Sequence, residues 1–408
     1  MEHLTVPHLL GLLFVMMGAA KLLGHLAQMV GQPSVLGELL AGVIVGSSVL
    51  GLVDSSNEVL HVMGELGVLI LLFSIGLETD LKSLLKVGTA SAAVAVSGVV
   101  LPFALGYAAA LAMGLTNIAA IVVGATLTAT SVGITARVLS DLGRLQSPEG
   151  QVILGAAILD DVIGLVILSV VAGMTGGEGV SLAIIARTTA VAFGFLAVTV
   201  LLGKLVVPTI ANWSKRVDLP GTPTILALML AFGLGWLADR VGSAPILGAF
   251  AAGLLIVGTP RYHDIEVGVT RLGHFFVPLF FVTVGAAVDV TVLNPLDPVN
   301  HRTLLIALIL SLAAVAGKFV SGYAAFWFKG NKSVIGAGMI PRGEVGLIFA
   351  AMGKAQGILD EGMFAAVTVV VMVTTFLAPP LLKYLAPPAA GVLPLKDHEG
   401  IEDLATEG

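Results

Sequence analysis

Apolar runs of about 20 residues recur along this chain, each long enough to cross a bilayer as an α-helix. Of its 408 residues, 57% are hydrophobic and 11% charged. That is more apolar surface than a water-soluble core could hide. The sequence therefore predicts an all-α polytopic membrane protein with about 13 spans and essentially no soluble domain. The spans are drawn, to within a few residues, over His8–Met29, Ser34–Leu52, Val59–Leu77, Gly88–Met113, Asn117–Leu139, Ile153–Val170 and Leu182–Val207. They continue over Thr224–Leu237, Ala244–Val257, Leu272–Val288, Thr303–Phe328, Ser333–Gly353 and Gly362–Leu385. The acidic tail ending EGIEDLATEG is expected to be solvated. The chain has no cysteine, which excludes disulfides, thiolate nucleophiles and cysteine metal sites. Its N-terminus lacks the basic region and small-residue cleavage site of a secretory signal, so the first span is expected to be retained.

Loop charges orient these spans. With the N-terminus outside, the inward loops and the C-terminal flank carry Lys82, Lys86, Arg137, Arg144, Lys204, Lys215, Arg216, Arg261, Lys329, Lys332, Lys383 and Lys396. The outward loops carry Arg240, Arg302 and Lys354. Positive residues gather on the cytoplasmic face, so the N-terminus is expected outside and the C-terminus inside.

A repeat is legible at an offset of about 210 residues. LGELLAG (Leu36 to Gly42) is echoed by LGAFAAG (Leu247 to Gly253), and FSIGLETDL (Phe73 to Leu81) by VTVGAAVDV (Val282 to Val290). SVGI (Ser131 to Ile134) aligns loosely with EVGL (Glu344 to Leu347). The offset spans about seven helices, an odd number, so the copies should face opposite ways across the bilayer. Inverted repeats of this kind belong to alternating-access transporters with a site near mid-membrane.

The polar residues inside the spans point to ion chemistry. Asp160 and Asp161 sit in the middle of ILGAAILDDVIGLVILSV, where each carboxylate costs about 2.5–3.5 kcal/mol on insertion scales. Adjacent carboxylates repel when both are ionised, so their proton affinities are coupled, which suits a site where a cation and protons compete. A structurally held acid pair is the plainer alternative. Lys318, deep in its apolar span, needs a partner or must lose its proton, and Asp160, Asp161 and Glu344 are the deep acids available. Two spans are interrupted. One carries Thr126, Thr128, Thr130 and Ser131 between Gly124 and Gly133, and the other has Pro341 and Gly343 flanking Arg342. Broken helices free backbone groups that can hold an ion, although threonine hydroxyls also bond back to their own helix. Arg342 is expected to pair with a nearby acid. Glu38, Glu65, Lys21, His25, His274, Asp80 and Asp289 are read as structural or interfacial. No nucleotide-binding glycine loop or HExxH pattern appears.

The motifs TATSVGITARVL (Thr128 to Leu139), ILGAAILDDVIGL (Ile153 to Leu165), GKF with Lys318, and PRGEVGLI (Pro341 to Ile348) occur in this order. With them the chain resembles the monovalent cation/proton antiporter superfamily, in its type 2 branch the bacterial NapA-type sodium/proton antiporters. The resemblance implies a NapA/NhaA-like fold with two crossed broken helices. It implies a dimerisation scaffold (1–81 and 216–292), an ion-transport core (82–175 and 293–386), a linker helix (176–215) and a cytoplasmic tail (387–408). It makes Asp161 the principal ligand of transported sodium and of protons, and Asp160 the second aspartate of the electrogenic branch. Lys318 becomes the ion-pair partner of Asp160. Thr130 and Ser131 lie beside the ion, and Arg342 and Glu344 compensate charge at the other break. The expected protein is no enzyme and needs no cofactor. It exchanges sodium or lithium for protons in a bacterial inner membrane, as a homodimer among lipids, without nucleic acid or a nucleotide-binding regulatory domain. Potassium/proton exchange, and a sodium-coupled symporter of an organic anion, are the alternatives.

Overall fold

The computed structural model describes residues 5–386 apart from 55–56, 80, 176–185, 188, 192, 196, 200, 202, 204–220, 258, 260, 295 and 297–299. Among the described residues the fold is helical and has no β-strand beyond one isolated bridge, Gly46 to Val53. Seven of the described helices are long and apolar enough to cross a membrane. The Lys215/Arg216 loop, Asp80 and the acidic tail lie outside the described residues, as does half of the expected seventh span, Leu182–Val207.

The first group of helices is α1 (Val6–Met29), α2 (Ser34–Val45), α3 (Glu58–Glu78) and the short α4 (Leu81–Lys86). Next come α5 (Gly88–Ala112), α6 (Asn117–Thr126), α7 (Val132–Asp141) and α8 (Pro148–Thr175). The later half holds α9 (Thr222–Arg240), α10 (Pro245–Ile256), α11 (Tyr262–Ala286) and α12 (Asn300–Ser321). It closes with α13 (Lys332–Gly338), α14 (Glu344–Ala355) and α15 (Glu361–Leu385). Side chains at several starts satisfy the orphan amides: Asn57, Thr116, Asn331 and Asp360 each accept from the first turn of their helix.

Several boundaries differ from the sequence reading. The second span was expected to reach Leu52, but α2 stops at Val45 because Gly46 turns extended and the following turn folds back on Val45. The eleventh was expected to reach Phe328, but α12 ends at Ser321. Conversely, α11 starts at Tyr262, so His274 sits in mid-helix and not at its head. Apolarity sets where a helix is buried, while backbone hydrogen bonding carries it past the apolar run.

Packing sorts the helices into two groups. One holds α1–α3 with α9–α11, the other α5–α8 with α12–α15. In the first group the repeat is written in glycines. Gly37 lets α2 approach Leu23 and Gly24 of α1, and Gly248 lets α10 approach Leu234 and Gly235 of α9. Gly42 packs on Val282 and Gly285 of α11, and Gly253 on Phe73 and Gly76 of α3. Each short helix thus crosses a long helix of the other half, and the two repeats interlock. A methyl at either crossing would meet a backbone carbonyl, of Val282 or of Phe73. Gly42→Ala and Gly253→Ala are each expected to lose about 1–3 kcal/mol, read by thermal unfolding. Gly18→Ala and Gly233→Ala, where a methyl meets open space, should unfold no lower than the parent. Equal unfolding temperatures for all four would remove the glycines from the interlock.

Candidate functional site

The second packing group is built around two interrupted helices that meet at their breaks. α6 ends at Thr126 and α7 begins at Val132, while α13 ends at Gly338 and α14 begins at Glu344. The chain opens at these points for local reasons. Pro341 has no N–H to continue a helical ladder, and Gly343 is extended, at φ −135° and ψ −152°. The Thr126 and Thr128 hydroxyls donate back to Val123 O (2.6 Å) and Ala125 O (2.7 Å), stabilising the end of α6. These two threonines follow the back-bonding alternative, not an ion-facing one.

The breaks are then stitched together. Ser131 N–H donates to Pro341 O at 2.8 Å. Thr135 Oγ1 donates to Gly338 O at 2.7 Å, and Thr130 Oγ1 to Met339 O at 3.4 Å. Gly343 lies so close to Ser131 that an added methyl would sit 3.0 Å from its side chain. Helix ends of both polarities therefore converge on one spot, where their partial charges reach the ends of four half-helices.

Arg342 is wholly buried at this crossing. Among the described residues it makes no ion pair with an acid, and the side chain of Glu344, the acid expected beside it, lies outside them. Its guanidinium donates to Ile340 O (3.2 Å) and to Ala314 O on α12 (3.3 Å). The physical reason is the break itself. The carbonyl end of α13 is a negative dipole end in an apolar setting, and a fixed cation there satisfies it. Thr375 of α15 holds the same turn by donating to Arg342 O at 2.6 Å. Glu344 opens α14, and its side chain lies outside the described residues.

Lys318 and Asp160 are brought together from α12 and α8. The ammonium stands 3.2 Å from each carboxylate oxygen, and the two side chains are 0% and 1% exposed. Lys318 lies in the last turn of its helix, yet it points inward against Gly98 of α5 and does not snorkel outward. A buried pair of this kind carries a large desolvation cost and holds only while both partners are present.

Asp161 follows on α8, about 100° further round the helix. It faces a different neighbourhood, a cavity of about 30 Å³ lined by Thr130, Ser131, Gly133, Gly343, Val68 and Phe280. That volume is of the order of one water molecule. Gly343 and Phe280 also line a second, larger cleft of about 310 Å³ between the two packing groups, whose walls include His61 and Glu65 of α3 and Leu347, Ile348 and Thr375. The site cavity and the open cleft are thus neighbours separated by a shared wall. Of the lesser residues, Glu65 pairs with His61 at 3.3 Å, and Asp289 accepts from Thr291 locally.

This geometry has counterparts among known proteins. The family model described as "Sodium/hydrogen exchanger, transmembrane" matches residues 12–386. The chain belongs to the sodium/hydrogen exchanger family. It is therefore a membrane transporter of the monovalent cation/proton antiporter superfamily, not an enzyme. It is similar to the high-affinity Na+/H+ antiporter NhaS3 of Synechocystis, at 43% identity over 91% of this chain and 88% of the relative. The Na+/H+-K+ antiporter GerN of Bacillus cereus is 37% identical over 90% of this chain and 93% of the relative. In fold it is similar to the sodium proton antiporter MjNhaP1 of Methanocaldococcus jannaschii, with a TM-score of 0.66 at 17% identity, covering 92% of this chain and 97% of that one.

Of the residues expected at the site, Thr130, Ser131, Asp160, Asp161, Lys318 and Arg342 lie at or beside the crossing, and Glu344 starts the helix after the second break with its side chain outside the described residues. Thr135 and Thr375 were not assigned a part in it. Thr374–Thr375, a polar pair inside the apolar run TVVVMVTTFLA, was the available signal for the last of these.

Proposed function

We propose that this exchanger carries sodium or lithium against protons by alternating access, and that Asp161 binds both cargoes in turn. The observation that carries the reading is the placement of Asp161. It lines a cavity the size of one small ion beside the crossing of two broken helices, with Thr130, Ser131 and Gly343 around it. A bare carboxylate is costly in that setting. A bound cation or a proton neutralises it, and only the neutralised site passes the apolar barrier cheaply. Competition for one carboxylate then enforces exchange.

Asp160 and Lys318 add the second charge. If Asp160 takes a proton when its bond to Lys318 opens, two protons move for each cation and the cycle carries net charge. Such a cycle responds to voltage by about 2.3 kcal/mol per charge per 100 mV. This electrogenic reading is the NapA-type one.

The movement we infer is elevator-like. α5–α8 with α12–α15 form the ion-transport core, and α1–α3 with α9–α11 the scaffold, which would also carry the homodimer contact. Residues 176–215 would link the two. The support is the open cleft between the groups and the glycine interlock inside the scaffold. The segregation of Lys and Arg supports about 13 spans in a bacterial inner membrane, N-terminus outside. In that orientation His61 and Glu65, in the first turns of α3, lie near the outer face, and the cleft opens outward.

The test uses purified protein in sealed vesicles with an internal pH dye and an imposed proton gradient. Sodium, lithium or potassium is added with the voltage clamped and then free. Cation-triggered, voltage-sensitive proton movement is the expected result. No cation-triggered pH change across several pH values would overturn the reading. Potassium is the second reading, favoured by the similarity to a relative named as a Na+/H+-K+ antiporter.

A further inference from the structure

Among the described residues of α3, those that line the cleft beside the site lie towards the start of the helix. His61 and Glu65, which line it, lie in the first turns of that helix, and Glu78 is its last residue. At 1.5 Å per residue, Glu65 and Glu78 are about 20 Å apart along the axis. At the Glu78 end the two helix groups are joined by charged and polar side chains. Ser34, the first residue of α2, donates to Asp141 Oδ2 of α7 at 3.0 Å. Arg137, one turn back on α7, stands 3.1 Å from Asp141 Oδ1. The Arg137 guanidinium also lies in the field of Glu38 on α2 and Glu78 on α3. Ser140 of α7 hydrogen-bonds Glu78. Glu38 is 4% exposed, and its Oε2 has no hydrogen-bond partner among the described residues. At the same end Lys383 of α15 brings its ammonium against Gly31, in the turn before α2.

We propose that Ser34, Glu38 and Glu78 on one side, and Arg137 and Asp141 on the other, form an interdomain latch. The latch holds the helix groups together at the end away from the cleft and sets how often the site opens there. It rests on the alternating-access reading, because only a core that moves against the scaffold needs one. One cation serves its own helix acid and two scaffold acids at once. A displacement by one helical turn, about 5.4 Å, takes Arg137 from Glu38 and Glu78 and breaks the bond from Ser34. Glu38, already lacking one partner for its Oε2, then keeps only the weaker field of Lys21 while buried, which is a costly arrangement. None of these residues lines the site cavity, so they act on the balance between conformations and not on the bound ion.

The chain has no cysteine, so one introduced thiol reports cleanly. Val35 is wholly buried, in the same hydrophobic cluster as Val138 and Leu139 of α7. In detergent, Val35→Cys is expected to react slowly with a maleimide. Adding Arg137→Gln should speed labelling about five-fold or more, the usual size of a coupling between states. Adding Ser34→Ala, which removes one hydrogen bond, should speed it about two-fold or more. If Arg137→Gln does not fold, Ser34→Ala carries the test alone. Unchanged labelling in a folded variant, with sodium-driven proton movement intact in the Val35→Cys parent, overturns the latch. Faster labelling in a parent that exchanges no cation for protons overturns the antiport reading and leaves the closed seam standing.

Discussion

Asp161→Asn is expected to reduce sodium-driven proton movement in vesicles to background. Asparagine keeps the shape of the side chain and one acceptor oxygen, but it carries no charge and takes up no proton. Two unit charges near 4 Å attract by about 4 kcal/mol at an effective dielectric of about 20. Losing that is nearly a thousand-fold in cation affinity. The proton half of the cycle is lost at the same time, so raising sodium cannot restore exchange. Folding should survive, because the buried ion pair of the core is made by Asp160 and Lys318. The measurement is the vesicle pH signal beside thermal unfolding of the same preparation. A folded variant with normal exchange would mean that another group carries the ion.

Lys318→Met is expected to have the largest effect on stability. Methionine fills much of the same space but leaves Asp160, 2% exposed, without the ammonium that contacts both its oxygens. Breaking a buried pair from one side costs about 3–5 kcal/mol, which should lower the unfolding temperature by several degrees. The double variant Asp160→Asn/Lys318→Met removes both charges and should recover most of that loss, because the penalty comes from the stranded charge. Thermal unfolding of the parent, both single variants and the double variant forms the cycle. A double variant as unstable as the sum of the singles would show that the two groups are not coupled. In the proposed mechanism the double variant also loses voltage sensitivity, since only one carboxylate then titrates.

The order of the helices, the breaks and the deep charges could be read from sequence because hydrophobicity makes them stand out. An acid, a lysine or a proline inside an apolar run has few structural excuses. The glycine repeat was legible for a similar reason. Only glycine allows the close approach of Gly42 to Val282 and of Gly253 to Phe73, so it recurs at the same register in both halves. What could not be read was partner choice. Arg342 donates to two backbone carbonyls, because a helix end supplies acceptors that no residue letter records. Thr126 and Thr128 close their own helix while Thr130 and Thr135 reach across to the other break. All four look alike in the sequence.

Sequence alone says that the chain is a bundle of membrane helices, that two of them are interrupted, and that Asp160, Asp161 and Lys318 are charges deep in apolar runs and in need of compensation. These follow from composition and spacing, since apolar length sets the span and low dielectric forbids a stranded charge. Packing in three dimensions sets which aspartate holds the lysine, which one faces the cavity, and at which end of the interface Ser34 meets Asp141. Adjacent residues on a helix point about 100° apart, so neighbours in sequence enter different surroundings, and only the packed neighbours determine what each one meets.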